Sequence, residues 1–146
     1  MPDSERDASD AAGQNPEDAA GRRTGRWEER DPHGGIVVGE YVDGERTGEW
    51  THYFADGRVR SVSRYVAGRL TGPATWYRAT GGLLQQGGFL DGEKHGFWQR
   101  WSAAGALIDE GEFDRGSKTG RWTSFNPDGT VRRTTVHRGG AAGAAT

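Results

Sequence analysis

Glycine recurs through this chain at a nearly constant interval, and that interval limits the fold more than any other feature of the sequence. Gly25, Gly48, Gly72, Gly96 and Gly120 are separated by 23, 24, 24 and 24 residues. A fixed period of this length is typical of proteins built from small units that each pack on their neighbours. We therefore expect five tandem units in place of one central core.

Each unit carries the same kinds of residue at the same distances from its first glycine. Two positions after it stand Trp27, Trp50, Ala74, Trp98 and Trp122, and five positions after it stand Arg30, Tyr53, Tyr77, Trp101 and Phe125. Two further glycines in each of the first four units, and one in the fifth, lie in turn-forming contexts such as Asp56-Gly57 and Asp43-Gly44, where Gly supplies positive φ and Asp caps the turn. The predicted turn glycines are Gly34, Gly57, Gly81, Gly105, Gly129, Gly44, Gly68, Gly92 and Gly116.

These turns predict an all-β fold, an elongated single-layer antiparallel meander of hairpins with about five units and ten strands. We expect residues 1–23 to form a disordered acidic tail, residues 24–138 a five-unit β-repeat domain, and residues 139–146 a flexible tail. Alternation along the second strand of each unit places Val59 on the same face as Tyr65. Gly87 and Gly111 fall on that face and leave space for a neighbouring ring.

The first strand of each unit is less clear from sequence. Trp50 and Tyr53 have opposite parity, which is compatible with a bulge or with rings on both faces of the sheet.

Composition excludes several classes of protein. The chain has no cysteine, which removes disulfides and thiolate metal sites, and its net charge of -2 argues against a nucleic-acid partner. No apolar stretch approaches the roughly 18 residues of a membrane span, so stable membrane insertion is not expected. The first residues show no apolar signal segment, which predicts a cytoplasmic protein.

No catalytic or metal-binding constellation stands out. His33, His52, His95 and His137 lie at four different phases of the repeat and do not converge. The turn aspartates recur for a conformational reason, and no phosphate-cradling loop is present. We expect no enzyme activity, no metal and no cofactor.

Tryptophan supplies the candidate partner-binding residues. One interpretation is an exposed aromatic stripe, since Trp is enriched at protein interfaces. The other is that the rings pack between neighbouring hairpins and stabilise a sheet that has no second layer. The candidates are Trp27, Trp50, Trp76, Trp98, Trp101 and Trp122.

Two segments carry a resemblance to a known family: Gly39–Trp50, with the sequence GEYVDGERTGEW, and Gly111–Trp122, with GEFDRGSKTGRW. They resemble MORN repeats, in particular the bacterial variants labelled YwqK-type antitoxins, and His95-Gly96 matches a frequent pair of that family. The resemblance covers about residues 24–138. It implies a scaffold, and the antitoxin label implies sequestration of a partner protein. Ala74, Arg30 and His137 depart from the stricter pattern.

The leading hypothesis is thus a non-enzymatic scaffold that binds a protein partner, with an antitoxin-like neutraliser as its specific form. A carbohydrate or cell-wall module is the alternative, because tryptophans about 9–10 Å apart in alternate strands suit stacking on sugar rings. Lipid head-group binding is a further alternative. An exposed terminal strand makes a homodimer an additional expectation.

Overall fold

The computed structural model describes residues 15–138, and within this range the chain forms one open antiparallel sheet without any helix. Residues 1–14 of the tail predicted for residues 1–23, and the whole tail predicted for residues 139–146, lie outside the described residues. The twelve strands are β1 (Gly25–Arg30), β2 (Ile36–Val42), β3 (Glu45–Tyr53), β4 (Val59–Val66), β5 (Arg69–Leu70), β6 (Gly72–Tyr77), β7 (Leu83–Leu90), β8 (Glu93–Lys94), β9 (Gly96–Trp101), β10 (Leu107–Asp114), β11 (Ser117–Phe125) and β12 (Val131–Arg138).

The strands follow one another across the sheet in chain order, which confirms the predicted all-β meander. Twelve strands occur where ten were predicted, because Thr71 separates β5 from β6 and His95 separates β8 from β9. Each of these pairs takes the place of one long strand, such as β3 or β11. The molecule therefore has ten rungs, two for each of the five units.

Two-residue turns close one end of the hairpins. In Asp43-Gly44, Ala67-Gly68, Asp91-Gly92 and Arg115-Gly116 both residues have positive φ, between 47° and 92°. This geometry matches the natural twist of two paired strands. The Gly68 amide donates to the Arg46 carbonyl at 3.0 Å, and the Gly92 amide donates to the Leu70 carbonyl at 2.8 Å. The turns of successive units are thus linked directly to one another.

Longer turns close the other end, and four of them are followed by a bulge. Tyr53 pairs with Val59 while His52 pairs with Ser61, so Arg60 is an extra residue in β4. The same shift occurs in the third, fourth and fifth units. In the first unit β1 and β2 pair without a shift. The missing bulge residue explains why this unit has a period of 23.

One prediction made from strand alternation is wrong because of the bulge: Val59 does not share a face with Tyr65. Val59 lies opposite Tyr53 in the sheet and lines a hollow together with Val62 and Tyr77. The extra residue Arg60 reverses the parity, so Val59 faces away from the ring of Tyr65.

Residues 15–23, which the sequence places in the acidic tail, pack against the first strand. The Asn15 side chain accepts a hydrogen bond from the Glu28 amide at 2.8 Å and donates to the Glu28 carbonyl at 3.2 Å. The indole of Trp27 donates to the Pro16 carbonyl at 2.9 Å. This segment satisfies backbone groups of β1 and covers its first tryptophan, as a preceding unit would.

The core is a single row of rings laid over glycine. Trp50 is 2% exposed, and it covers Gly39 so closely that a Cβ atom there would overlap the indole. Trp98 covers Gly87, and Trp122 covers Gly111, in the same way. Each of these indoles donates to a backbone carbonyl of the strand that it covers, at 2.9–3.2 Å. The sequence predicted that Gly87 and Gly111 leave space for a neighbouring ring, and these contacts confirm it.

Gly111→Ala tests this packing. The new methyl group overlaps the Trp122 indole, and we expect the free energy of unfolding to fall by about 1–3 kcal/mol because the ring must shift. Urea unfolding followed by tryptophan fluorescence measures the change.

Gly82→Ala is the matched control. Its Cβ would meet no atom within 4 Å, and its φ is not in the positive region. Its effect should stay within about 0.5 kcal/mol, or be slightly stabilising. Equal losses in the two variants would contradict the proposed ring-on-glycine packing.

Candidate functional site

Side chains divide between two faces of the sheet. The ring face carries Trp50 and its equivalents together with Tyr41, Tyr65, Phe89 and Phe113. The opposite face carries the residues between them: Gln99 follows Trp98 and bonds to Gln86 and Glu110 there. Trp101, two residues after Gln99, lies on this opposite face. The sheet therefore has rings on both faces, as well as bulges.

On the ring face, the aromatic side chains contact one another in an edge-to-face series. Centroids are 5.6 Å apart for Trp27 and Tyr41, 5.1 Å for Tyr41 and Trp50, and 6.2 Å for Trp50 and Tyr65. A second series continues through Phe89, Trp98, Phe113 and Trp122 at 5.1–6.0 Å. Edge-to-face pairs contribute about 0.5–1.5 kcal/mol each beyond buried area. We call these two series the ring ladder.

Basic side chains cover the ring ladder. The Arg46 guanidinium lies 4.2 Å from the centroid of Trp50, and the Lys94 ammonium lies 4.7 Å from that of Trp98. Arg23 and Lys118 occupy the same position over Trp27 and Trp122. Sequence reasoning missed this row, although its signal is a basic residue two positions before four of the five repeat glycines. The cations shield the rings from solvent and are stabilised by them.

Four of the six candidate tryptophans are therefore core residues. Trp27, Trp50, Trp98 and Trp122 are 2–8% exposed and have little surface to offer a partner. Trp76 lies on the ring face, half-buried, with its centroid 5.7 Å from that of Trp98. Trp101 is half-buried on the opposite face. The structure does not gather the six into one site.

The third unit interrupts the ring ladder by three coordinated departures from the repeat. Ala74 replaces the tryptophan, Leu70 replaces the covering Arg or Lys, and Ser63 replaces the glycine that would lie under the ring. A side chain is tolerated at position 63 because Ala74 brings no indole over it. The sequence showed Ala74 as a departure, but the connection to Ser63 and Leu70 needs the strand pairing.

The interruption leaves an opening on the ring face of about 220 Å³. Its aromatic walls are Trp50, Tyr65 and Trp76, and Leu70, Ser61 and Ser63 also line it. We call this opening the ladder gap.

His52 lines the ladder gap and is held by Asp31. Its Nε2 lies 2.6 Å from the Asp31 carboxylate, which also accepts the amides of His33 and Gly35 at 2.7 and 2.9 Å. The hydrogen bond from His52, followed by that from Gly35, lowers the pKa of Asp31 to about 2. The pair fixes the first long turn to β3 and orients the imidazole.

The opposite face has an apolar row at the margin near the long turns. Aromatic and aliphatic side chains alternate along it, and the pairs Tyr53–Val59, Tyr77–Leu83 and Trp101–Leu107 lie directly across from each other. All but Val131, which is 59% exposed, are half-buried. The apolar row consists of Ile36, Tyr53, Val59, Tyr77, Leu83, Trp101, Leu107, Phe125 and Val131.

Two polar rows lie beside the apolar row. The middle one contains Thr51, Thr75 and the Gln86–Gln99–Glu110 hydrogen-bond chain, with Val38 and Val62 beside the threonines. The outer one includes cross-strand pairs of opposite charge, such as Arg26 with Glu40 and Glu49 with Arg64. No second layer of residues 15–138 covers this face.

Residues 15–138 offer neither a cluster of metal ligands nor a membrane-spanning helix. Among residues 15–138, no group of three or more His, Asp or Glu side chains is placed to hold a metal ion. The same part of the chain contains no helix that is long and apolar enough to cross a membrane.

Comparison with known proteins gives little. No family model and no curated protein matches the chain. Among solved structures, TarM aligns with 70% of this chain at 13% identity and a TM-score of 0.42. The GtfA/B complex bound to UDP and GlcNAc aligns with 75% at 15% identity and a TM-score of 0.28. The chain spans 19% and 20% of those chains, and the likeness is too slight to support a conclusion about function.

Restoring the repeat's tryptophan at position 74 and its glycine at position 63 tests whether the two positions are coupled. Ala74→Trp alone should lower the free energy of unfolding by about 1–3 kcal/mol, because the indole overlaps the Ser63 side chain as it would a Cβ at Gly87. Adding Ser63→Gly should recover most of that loss. Urea unfolding of both single variants and the double variant gives the coupling energy. Strictly additive effects would contradict the ladder description.

The lowered pKa of Asp31 predicts how the stability of the fold depends on pH. Its pKa is lower in the folded state than the ordinary value of 3.8, so its stabilising effect is complete above about pH 4 and disappears as the pH falls towards 2. Asp31→Asn should flatten the fall in free energy of unfolding over this range, measured by urea unfolding at several pH values.

Asp91→Asn serves as the control for that measurement. It changes an exposed turn aspartate whose carboxylate accepts no hydrogen bond from residues 15–138. The slope of the control should match that of the unmodified chain. An unchanged slope in Asp31→Asn would refute the role given to the Asp31–His52 pair.

Proposed function

We propose that this chain is a non-enzymatic scaffold of the MORN-repeat type, acting in the cytoplasm, that binds a protein partner through the opposite face of its sheet. The observation that carries this proposal is the apolar row, a continuous margin of half-exposed aromatic and aliphatic side chains with no covering layer among residues 15–138. An antitoxin-like neutraliser of that partner is the specific form of the proposal.

The arrangement of this face supports a protein partner. Aromatic side chains are enriched at protein interfaces, which combine apolar and polar groups. Here the apolar row lies beside a row of Val, Thr and Gln side chains, and oppositely charged residues, such as Glu49 across from Arg64, form the far margin. Because opposite charges stand next to each other at this margin, it favours no strongly charged ligand.

The size of the face also suits a protein. Ten rungs at about 4.8 Å per strand extend for roughly 45 Å, and three rows of side chains about 7 Å apart give a width near 15–20 Å. The product approaches the roughly 800 Å² that each partner contributes to a standard interface. A small molecule would leave most of such a surface uncovered.

Partner capture followed by reconstitution tests the proposal. The full chain, immobilised, should retain a protein from extracts of its native host, and that protein should bind again when purified. Tyr77→Ser with Trp101→Ser should weaken the reconstituted binding about tenfold or more, since aromatic anchors are worth about 2 kcal/mol each. Isothermal calorimetry measures the affinity.

Val42→Ser with Val66→Ser is the matched control. These valines are 56% and 60% exposed and lie outside the apolar row, at the other margin of the sheet. This variant should bind the partner as the unmodified chain does. Equal loss in both double variants, or no partner that survives reconstitution, would overturn the proposal.

A further inference from the structure

The ladder gap lies where the third unit departs from the repeat. In the first, second, fourth and fifth units, an indole with a cation over it occupies the ring face. In the third unit Ala74 and Leu70 stand at these two positions, and the ring centroid of Trp76 lies 5.7 Å from that of Trp98. An opening without a tryptophan at its centre therefore lies between the Trp50–Tyr65 end of one series and Trp76, which precedes the next.

The size of the ladder gap indicates a single ring. Its volume of about 220 Å³ is below the roughly 300 Å³ at which drug-sized ligand pockets begin. Trp50, Tyr65 and Trp76 line it, but Arg46 covers the rings of Trp50 and Tyr65, so Trp76 and Leu70 supply its open apolar surface. A compact ring with at least one apolar face would contact these walls without displacing them.

The floor of the ladder gap is polar. The hydroxyls of Ser61 and Ser63 line it and form no hydrogen bond to other residues in the 15–138 range. The bond from His52 to Asp31 through Nε2 leaves Nδ1 as an acceptor when the imidazole is neutral. An occupant must offer hydrogen-bonding groups along one edge, because a purely aromatic ring would bury the two hydroxyls without partners.

The charges around the ladder gap are compensated. Arg46 lies over Trp50, donates to the Tyr65 hydroxyl at 3.2 Å and is 3.9 Å from the Glu29 carboxylate. Asp31 is paired with His52. A neutral occupant therefore fits better than an anion or a cation.

We propose that the ladder gap binds one neutral sugar ring, a pyranose whose C–H face packs on Trp76 and Leu70 and whose hydroxyls bond to Ser61, Ser63 and His52. A pyranose combines an apolar face with a polar edge, as this lining requires. The larger hollow of about 360 Å³ is a different kind of surface, since charged side chains line it and lysines cover its aromatic rings. The site does not depend on the protein-binding face, which lies on the other side of the sheet.

The test is a titration of the full chain, without any partner, with methyl glucopyranoside, methyl galactopyranoside and methyl mannopyranoside to millimolar concentrations. Indole N–H resonances in a ¹H–¹⁵N NMR spectrum report the site. We expect the Trp50 and Trp76 signals to shift saturably with at least one sugar, while those of Trp101 and Trp122 stay in place. No saturable shift with any sugar, or equal shifts at all six tryptophans, would overturn the proposal.

Matched variants locate the binding. Ser61→Ala with Ser63→Ala should weaken binding about tenfold by removing two hydrogen bonds. Thr51→Ala with Thr75→Ala, on the two strands that flank β4 and on the opposite face, should leave it unchanged. Thermal unfolding confirms that both variants are folded.

A second titration with p-cresol, the analogue of a tyrosine side chain, tests whether an aromatic side chain occupies the ladder gap in place of a sugar. Binding of p-cresol with no response to the sugars would refute the sugar assignment. The Tyr77→Ser and Trp101→Ser variant should retain sugar binding, so failure of the protein-binding proposal is distinguishable from failure of this one.

Discussion

The packing of an indole on a glycine of the preceding strand holds this sheet together. Trp50 over Gly39, Trp98 over Gly87 and Trp122 over Gly111 are the same contact repeated, and each joins one unit to the next. A single sheet has no second layer against which to bury side chains, so it must make its core within its own thickness. Removing Cβ from one strand lets a ring from the next lie flat against the backbone and bond to it.

This contact makes the two faces unequal. On one face the rings are closed in by Arg23, Arg46, Lys94 and Lys118, so they stabilise the fold and contribute little surface. The other face keeps its aromatic side chains half-exposed because nothing in the described chain covers them. The two proposed binding surfaces therefore lie on different faces, and the ladder gap lies where the third unit departs from the repeat.

Much of the fold could be predicted from spacing, and the failures have specific physical causes. The hairpins and the all-β class follow from Gly and Asp at turn positions. The face predicted for Val59 was wrong because Arg60 is an extra residue in β4. A bulge reverses the alternation of side chains, and the hydrophobic pattern does not reveal it. The packing of residues 15–23 was not foreseen, because their role depends on Asn15 and Pro16 meeting β1 in space.

The sequence by itself determined the period, the turns and the positions of the rings, since these depend on local backbone preference and on residues within one unit. Tertiary structure decided which rings are core and which are surface, because that depends on what the next strand places above them. Trp98 and Trp101 are three residues apart, yet one is 2% exposed and the other is half-buried on the opposite face. Likewise, Ser63 and Ala74 become one feature only when adjacent strands bring them together.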